Sequence, residues 1–252
     1  MNKVVIITGS SGGIGKALVK TYQEDNFFVI GIDKVQPKNS ALNFFGLETD
    51  LDDFVKDIKS RESLIAQIRE MLPKEITEFI LINNAAVQIL KPLEQVDYIH
   101  MNKSLNINTL APFFIAQSLK KELSEHMGHI INISSIHSKQ TKSSFACYAM
   151  SKAALESITR SLAIEMSPHG VSVNAIAPAA ILTDMLKDGF NNDNKKINEL
   201  ESYHPSNKIG SPGELALFIK SISQHKGRFL TGSIIDFNGG IASKLNDPNN
   251  LS

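Results

Sequence analysis

A β-branched run, Lys3 to Thr8, opens directly onto a glycine-rich turn, Gly9-Ser-Ser-Gly-Gly-Ile-Gly15. No other stretch constrains the fold as strongly. Four residues of the run are Val or Ile, the pattern of a strand buried on both faces in a parallel sheet. An amphipathic helix is expected from about Lys16 to Glu24, and a second apolar run, Phe27 to Ile32, ends at Asp33. The unit reads strand, glycine turn, helix, strand, acid. Glycines let a backbone approach a pyrophosphate, and a helix N-terminus offers free N–H groups and the positive end of a dipole. An acid closing the second strand accepts hydrogen bonds from both ribose hydroxyls and repels a 2′-phosphate. The spacing departs from G-x-G-x-x-G, with Gly9, then Gly13 and Gly15, and an extra Gly12. A plain tight turn and a capping carboxylate at Asp33 are the alternatives. Lys34 is the one feature that softens rejection of a 2′-phosphate.

The alternation continues. Lys34 to Leu42, with Pro37, reads as a loop, and Asn43 to Thr49 as a third strand delivering Asp50 and Leu51. Asp50 either accepts a hydrogen bond from an adenine amino group or caps the following helix. Asp57 is a second candidate for the adenine role, and Asp50 is favoured because the better strand precedes it. A helix is expected from about Glu62 to Met71, stopped by Pro73. Phe79 to Ile82 is a fourth strand ending in Asn83-Asn84-Ala85-Ala86, small residues that leave room for a ligand. The pattern is helical from after Leu93 to about Glu125, with a kink expected near Ala111 because of Pro112. His129 to Ile133 is a fifth strand that delivers Ser134 and Ser135 to its C-terminal end, where ligands bind in open α/β sheets. The next helix runs to about Met166 and ends at Pro168-His169-Gly170, and Val171 to Ala177 is a sixth strand followed by Pro178. The polar segment 185–207 reads as a substrate lid of short helices. A helix over 212–223, a last strand from Ser233 to Phe237 and a polar tail over 244–252 complete the chain. With no repeat or linker, this is one α/β, doubly wound domain over 1–252.

Chemistry concentrates between Asn132 and Leu155. Tyr148 and Lys152 stand four residues apart, one helical turn on a shared face. A free phenol titrates near pH ~10 and is a poor base at neutral pH. A neighbouring ammonium favours the phenolate. Ser135, from another segment, can hold a substrate oxygen, and together the three can move a proton on or off an alcohol or carbonyl oxygen. Tyr-x-x-x-Lys alone is ordinary, usually a solvated helix face, and gains meaning only from the surrounding fold.

The formal net charge of zero gives no basic surface for nucleic acid or anionic membrane. Cys147 is the single cysteine, so no intrachain disulfide forms, and it reads as a small packing residue. No metal site is expected. The chain starts almost directly with a strand, without the features of a signal peptide, and no apolar run reaches about 18 residues. A cytoplasmic protein is expected.

In this order and spacing the motifs resemble the short-chain dehydrogenase/reductase family over nearly the whole chain. They are Thr8 to Gly15, Asn83-Asn-Ala-Ala86, Asn108 in NINTLAPFF, Ser135 thirteen residues before Tyr148, Tyr148-Ala-Met-Ser-Lys152, Val173 to Pro178 and Thr231-Gly232. The resemblance implies a Rossmann fold with a seven-stranded parallel sheet of order 3-2-1-4-5-6-7. It implies Tyr148 as general acid/base, Lys152 depressing its pKa and binding the nicotinamide ribose, and Ser135 orienting the substrate oxygen. Asn108 would hold a water linking Lys152 to solvent. Gly9, Ser11, Gly13, Ile14 and Gly15 would cradle the pyrophosphate, with Asp33 at the ribose and Asp50 and Leu51 at the adenine. Asn84 and Ala85 would lie along the cofactor, and Pro178, Ile181 and Thr183 at its carboxamide end. Three positions depart from the family pattern: Ala86 and Ala179 replace glycines, and Asn238 replaces an aspartate. Asp33, and the lack of Arg or Lys before Gly13 in the turn, favour NAD over NADP.

The expected reaction is hydride transfer between a secondary alcohol and a ketone. Gln88, His137 and Gln140, with Ser135, are candidates for a polar pocket suited to a sugar derivative or hydroxy acid, although polar loop residues are common in any case. The rivals are an NADPH-dependent carbonyl or 3-oxoacyl thioester reductase, and a cofactor-binding regulator without turnover. By analogy with the family, a homotetramer or homodimer is expected, paired through the helices 103–125 and 147–166.

Overall fold

The computed structural model describes residues 2–36 and 42–244. Strand β1 (Lys3–Thr8), helix α1 (Gly13–Gln23) and strand β2 (Phe28–Asp33) form the opening unit, and β3 (Phe44–Glu48) follows. Next come α2 (Leu51–Lys56), α3 (Ile58–Met71) and β4 (Glu78–Asn83). Three helical pieces, α4 (Tyr98–Leu105), α5 (Ala111–Ser118) and α6 (Lys120–Glu125), precede β5 (His129–Ile133). The chain then runs through α7 (Ala146–Met166), β6 (Ser172–Pro178), α8 (Asp184–Gly189), α9 (Asn194–Tyr203), α10 (Pro212–Ser223) and β7 (Ile234–Phe237).

All pairings in the seven-stranded sheet are parallel, in the order β3-β2-β1-β4-β5-β6-β7 expected above. Val4 and Ile6 point into one core layer with Phe54, Ile68 and Leu119, while Val5 and Ile7 point into the other with Leu18, Tyr22 and Leu215. The alternation explains the unbroken apolar run: each residue of β1 from Val4 to Thr8 is buried, on one face or the other. The chain works outward from β1 to β3, then returns to place β4 on the other side of β1. That reversal opens a crevice between the C-terminal ends of β1 and β4.

Strand bounds fall within a residue or two of the expectations, whereas two helical regions differ. The helix expected from Glu62 begins at Ile58, and α2 precedes it. Asp50 accepts the Asp52 N–H at 2.8 Å and Asp57 accepts those of Lys59 and Ser60, so both carboxylates cap helices. The interruption expected near Ala111 takes the form of a π-helical turn over Asn106–Leu110, just ahead of Ala111 and Pro112. Pro112 has no N–H to give the Asn108 carbonyl, so the α-helical ladder cannot run through this point. Of the tail expected over 244–252, residues 245–252 lie outside the described residues, as does 37–41 of the loop after Asp33. Among the described residues no helix is long and apolar enough to cross a membrane, and no group of His, Cys, Asp or Glu is arranged to hold a metal.

Candidate active site

A cleft of about 1010 Å³ opens along the C-terminal ends of the strands. The residues singled out above for a site role line it, with two exceptions: Asn108, which is fully buried behind it, and Asp57. Asp57 does not reach the cleft, which leaves Asp50 as the carboxylate at the end of β3.

At one end the glycine turn meets α1. This helix has no side-chain cap at Gly12 and no acid in its first turn, so its leading N–H groups are left to a ligand. Gly9 sits at φ +67°, and a Cβ there would lie 2.8 Å from the Ala85 Cα. The turn therefore presses against the end of β4 as only glycine allows. Asn84 fastens the two together, its amide donating to the Thr8 and Gly9 carbonyls at 3.0 Å each. The Thr8 hydroxyl accepts the Asn84 and Ala85 N–H groups, also at 3.0 Å. Asp33 accepts the Ser11 N–H at 2.9 Å, so its carboxylate faces the turn. Lys34 pairs with Asp50 at 3.1 Å. Burial alone would raise the Asp50 pKa, but the Asp52 N–H and the Lys34 ammonium outweigh it and hold the carboxyl below its usual range.

At the other end β5 meets α7 through a row of polar bonds. Asn132 donates to the Thr159 hydroxyl at 2.9 Å, Ser134 to the Glu156 carboxylate at 2.9 Å, and Lys152 to the Ile133 carbonyl at 2.7 Å. The Ser135 hydroxyl accepts the His137 N–H at 3.2 Å and lies near enough to the Tyr148 phenol to favour its ionised form. The Lys152 ammonium lies 5.6 Å from the centre of the Tyr148 ring. Burial pushes the Tyr148 phenol above its ordinary value, opposed by the Ser135 hydroxyl, and lowers Lys152 to about 7. The expected net depression of the phenol is thus not found in the chain by itself. The ammonium is desolvated along with the phenol, and its own charge is disfavoured.

Asn108, in the π-helical turn, joins three segments. Its side chain accepts the Val87 N–H at 2.8 Å and donates to the Val87 carbonyl at 2.9 Å and the Ser151 hydroxyl at 2.8 Å. The Ser151 hydroxyl in turn donates to the Tyr148 carbonyl at 2.8 Å. Nearer the mouth, the His137 ring stacks on Phe145 at 4.3 Å and sets its edge against Tyr148 at 5.9 Å. Burial, then the Lys142 ammonium, lowers the His137 pKa.

Residues 3–194 match the family model for the short chain dehydrogenase, about three quarters of the chain. The chain belongs to the short-chain dehydrogenase family. An NAD-dependent glycerol dehydrogenase of Listeria innocua serovar 6a is 28% identical over 96% of this chain and 95% of its own length. Two solved structures superpose on it. 4-Hydroxyisoleucine dehydrogenase complexed with NADH matches with a TM-score of 0.85 and 27% identity over 97% of this chain and 100% of the other. ElxO with NADP bound matches with a TM-score of 0.82 and 25% identity over the same shares. The chain is thus a dehydrogenase/reductase acting on CH–OH groups with a nicotinamide dinucleotide. Its own geometry fits that cofactor: a helix N-terminus without a side-chain cap, a turn with no room for a Cβ at Gly9 or Gly15, and the Asp33 carboxylate share one crevice.

Two residues of this short-chain dehydrogenase carry site geometry that the sequence did not announce. Glu156 is 5% exposed and accepts hydrogen bonds from Ser134 and Ser138, on both sides of Ser135. His204, at the end of α9, lines the cleft at 2% exposure. Its Nδ1 lies 2.9 Å from the Leu200 carbonyl, which places the ring hydrogen there and makes Nε2 an acceptor. Nε2 is buried without a hydrogen-bond partner. Only the spacing of Glu156, one turn beyond Lys152 on the same helix face, was visible beforehand.

Proposed function

We propose that this chain is an NAD-dependent oxidoreductase that interconverts a small, polar secondary alcohol and its ketone, with Tyr148 as general acid/base. The observation that carries this reading is the convergence of Ser135, Tyr148 and Lys152 at one end of a cleft whose other end is the glycine turn. In the oxidative direction the Tyr148 phenolate takes the substrate hydroxyl proton, and Ser135 holds the same oxygen as it becomes a carbonyl. A bound nicotinamide would supply the acceptor for the hydride leaving the carbinol carbon, and its donor in the reverse direction. Lys152, protonated, stabilises the phenolate and reaches the nicotinamide ribose. The Asn108 carbonyl, left without its α-helical donor by Pro112, holds a water that connects Lys152 to solvent.

The preference for NAD is supported by Asp33, which Ser11 holds at the turn, and by Lys34, which is paired with Asp50. Gly9, Ser11, Gly13, Ile14 and Gly15 would hold the pyrophosphate, Asp50 and Leu51 the adenine side, and Asn84, Ala85, Pro178, Ile181 and Thr183 the nicotinamide side. The polar substrate is supported by Gln88, His137, Gln140 and the His204 acceptor along the cleft. The relatives named for glycerol and 4-hydroxyisoleucine act on small hydroxylated molecules of this kind. Helices α8 and α9 cover this end as a lid, contributing Met185, Leu186, Phe190 and Leu200 to its lining.

A panel of polyols, sugar derivatives, hydroxy acids and apolar alcohols, offered with NAD and with NADP, tests the proposal by the absorbance of the reduced nicotinamide. Turnover of polar secondary alcohols with NAD is the expected result. Turnover confined to NADP, or to apolar alcohols, would overturn it.

A further inference from the structure

Glu156 is a buried carboxylate that the reaction above does not use. It stands one turn beyond Lys152 and two beyond Tyr148 on α7. Among the described residues no Lys, Arg or His forms an ion pair with it. A carboxylate taken out of water without a cation needs strong donors. Here the donors are two hydroxyls of one short loop, Ser134 and Ser138, both on Oε1. The Ser138 hydroxyl also lies 2.8 Å from the Ser135 carbonyl, and Ser135 caps the 3₁₀ turn Ile136–Ser138. The segment that carries Ser135 is therefore gripped from both sides by the helix that carries Tyr148 and Lys152.

We propose that Glu156 is a positioning residue, whose carboxylate clasps Ser134 and Ser138 and thereby fixes the Ser135 hydroxyl against the Tyr148 phenol. The proposal rests on the acid/base reading of Tyr148. The consequence is kinetic, because a reacting group displaced by about 1 Å loses on the order of a hundredfold in rate while ground-state binding barely changes. The Asn132–Thr159 and Lys152–Ile133 bonds hold the strand end independently. Loss of the clasp therefore frees the loop and not the sheet.

The test compares Glu156→Gln, Glu156→Leu and the double variant Ser134→Ala/Ser138→Ala in the full chain. Glu156→Leu is expected to lower kcat by about 10- to 100-fold, with KM and dinucleotide Kd within about twofold of wild type. The serine pair should do the same, and adding it to Glu156→Leu should cost little more, because both remove one interaction. Glu156→Gln keeps an acceptor oxygen and should recover most of the rate. The pH midpoint assigned to Tyr148 should rise in Glu156→Leu and return in Glu156→Gln, a response that a general loss of stability would not give. Should Glu156→Leu fail to fold, the serine pair carries the test. Wild-type kcat and pH midpoint in these variants, or full additivity between them, would overturn the proposal. A wild-type protein inactive on the whole alcohol and ketone panel would overturn the acid/base reading instead. The clasp is then decided by a crystal structure of Glu156→Leu: a displaced 134–138 loop supports it, and an unmoved Ser135 sinks it.

Discussion

The Lys152 ammonium donates to the Ile133 carbonyl at 2.7 Å, joining the second turn of α7 to the last residue of β5. It belongs to a series in which three consecutive positions, Asn132 to Ser134, each bond a residue of α7: Thr159, Lys152 and Glu156. A strand advances about 3.3 Å per residue and a helix about 6 Å per four, so the two can be tied at several points only if they cross closely. The reactive trio is thus assembled by one crossing, of the fifth strand and the helix after it. The glycine turn and Asp33 come from the opening unit alone.

Tyr148→Phe keeps the ring and deletes the transferable proton. It should lower kcat by about 10²- to 10⁴-fold, the usual worth of a positioned acid/base, with dinucleotide affinity unchanged. Steady-state kinetics paired with calorimetric titration of the cofactor separate the two. Near-normal turnover would remove Tyr148 from the role.

Lys152 makes the stability of the cofactor-free chain depend on pH. Burial lowers its folded-state value from the ordinary 10.5 to about 7. Between those limits the unfolded chain binds a proton that the folded chain releases, so stability rises with pH across the window. One proton sets a ceiling of about 1.4 kcal/mol per pH unit. Urea denaturation of the wild type and of Lys152→Met should show the wild type gaining on the variant from about pH 7 towards about pH 10. A difference independent of pH would show that the ammonium is solvated.

Much of this was legible in the chain, and the exceptions share a cause. β1, the glycine turn and Asp33 were readable because period, turn chemistry and the closing acid all lie within 31 residues of one another. Tyr148, Lys152 and Ser135 were readable from spacing. The start of α1 was placed at Lys16 because glycines signal a turn, yet the helix begins at Gly13. α2 is short and follows Asp50 directly, so the cap shows only in the structure as the start of a separate helix ahead of α3. The rise of the Tyr148 phenol, the grip of Glu156 and the buried acceptor of His204 depend on burial and on partners distant in sequence. Neither periodicity nor spacing encodes those.

Asp33 should govern coenzyme choice. Its carboxylate is fixed by the Ser11 N–H, where it would accept from a ribose and repel a 2′-phosphate. Asp33→Ala should lower the ratio of kcat/KM for NAD over NADP by about 10- to 100-fold, as expected for a lost hydrogen bond to a charged group and a relieved repulsion. An unchanged ratio would move the discrimination elsewhere.

Gly13 couples the turn to α8. A Cβ on Gly13 would fall 2.9 Å from Thr183 Cγ2, and the Thr183 hydroxyl caps α8 by accepting the Leu186 N–H at 3.3 Å. Gly13→Ala must displace one or the other. Overpacking of this kind costs about 1–3 kcal/mol, or about tenfold or more in dinucleotide Kd. Thr183→Ser removes the offending methyl and keeps the cap, so in the Gly13→Ala background it should restore part of the affinity. No recovery in fluorescence titration would place the clash outside this contact.

His204 should report on the polarity of the substrate. Its Nε2 is an acceptor because Nδ1 is committed to the Leu200 carbonyl, and it is buried without a partner beside the cleft. An unsatisfied buried acceptor costs about 1–3 kcal/mol, which a substrate hydroxyl can recover on binding. A substrate with a second hydroxyl therefore gains an interaction that a simple secondary alcohol does not. His204→Phe keeps a flat ring and removes the acceptor. It should raise KM for diols and polyols by about 5- to 100-fold and leave simple secondary alcohols within about twofold. A uniform change for both classes would mean that the imidazole serves only to pack the end of α9 against Gly239, where a Cβ would lie 3.3 Å from the ring.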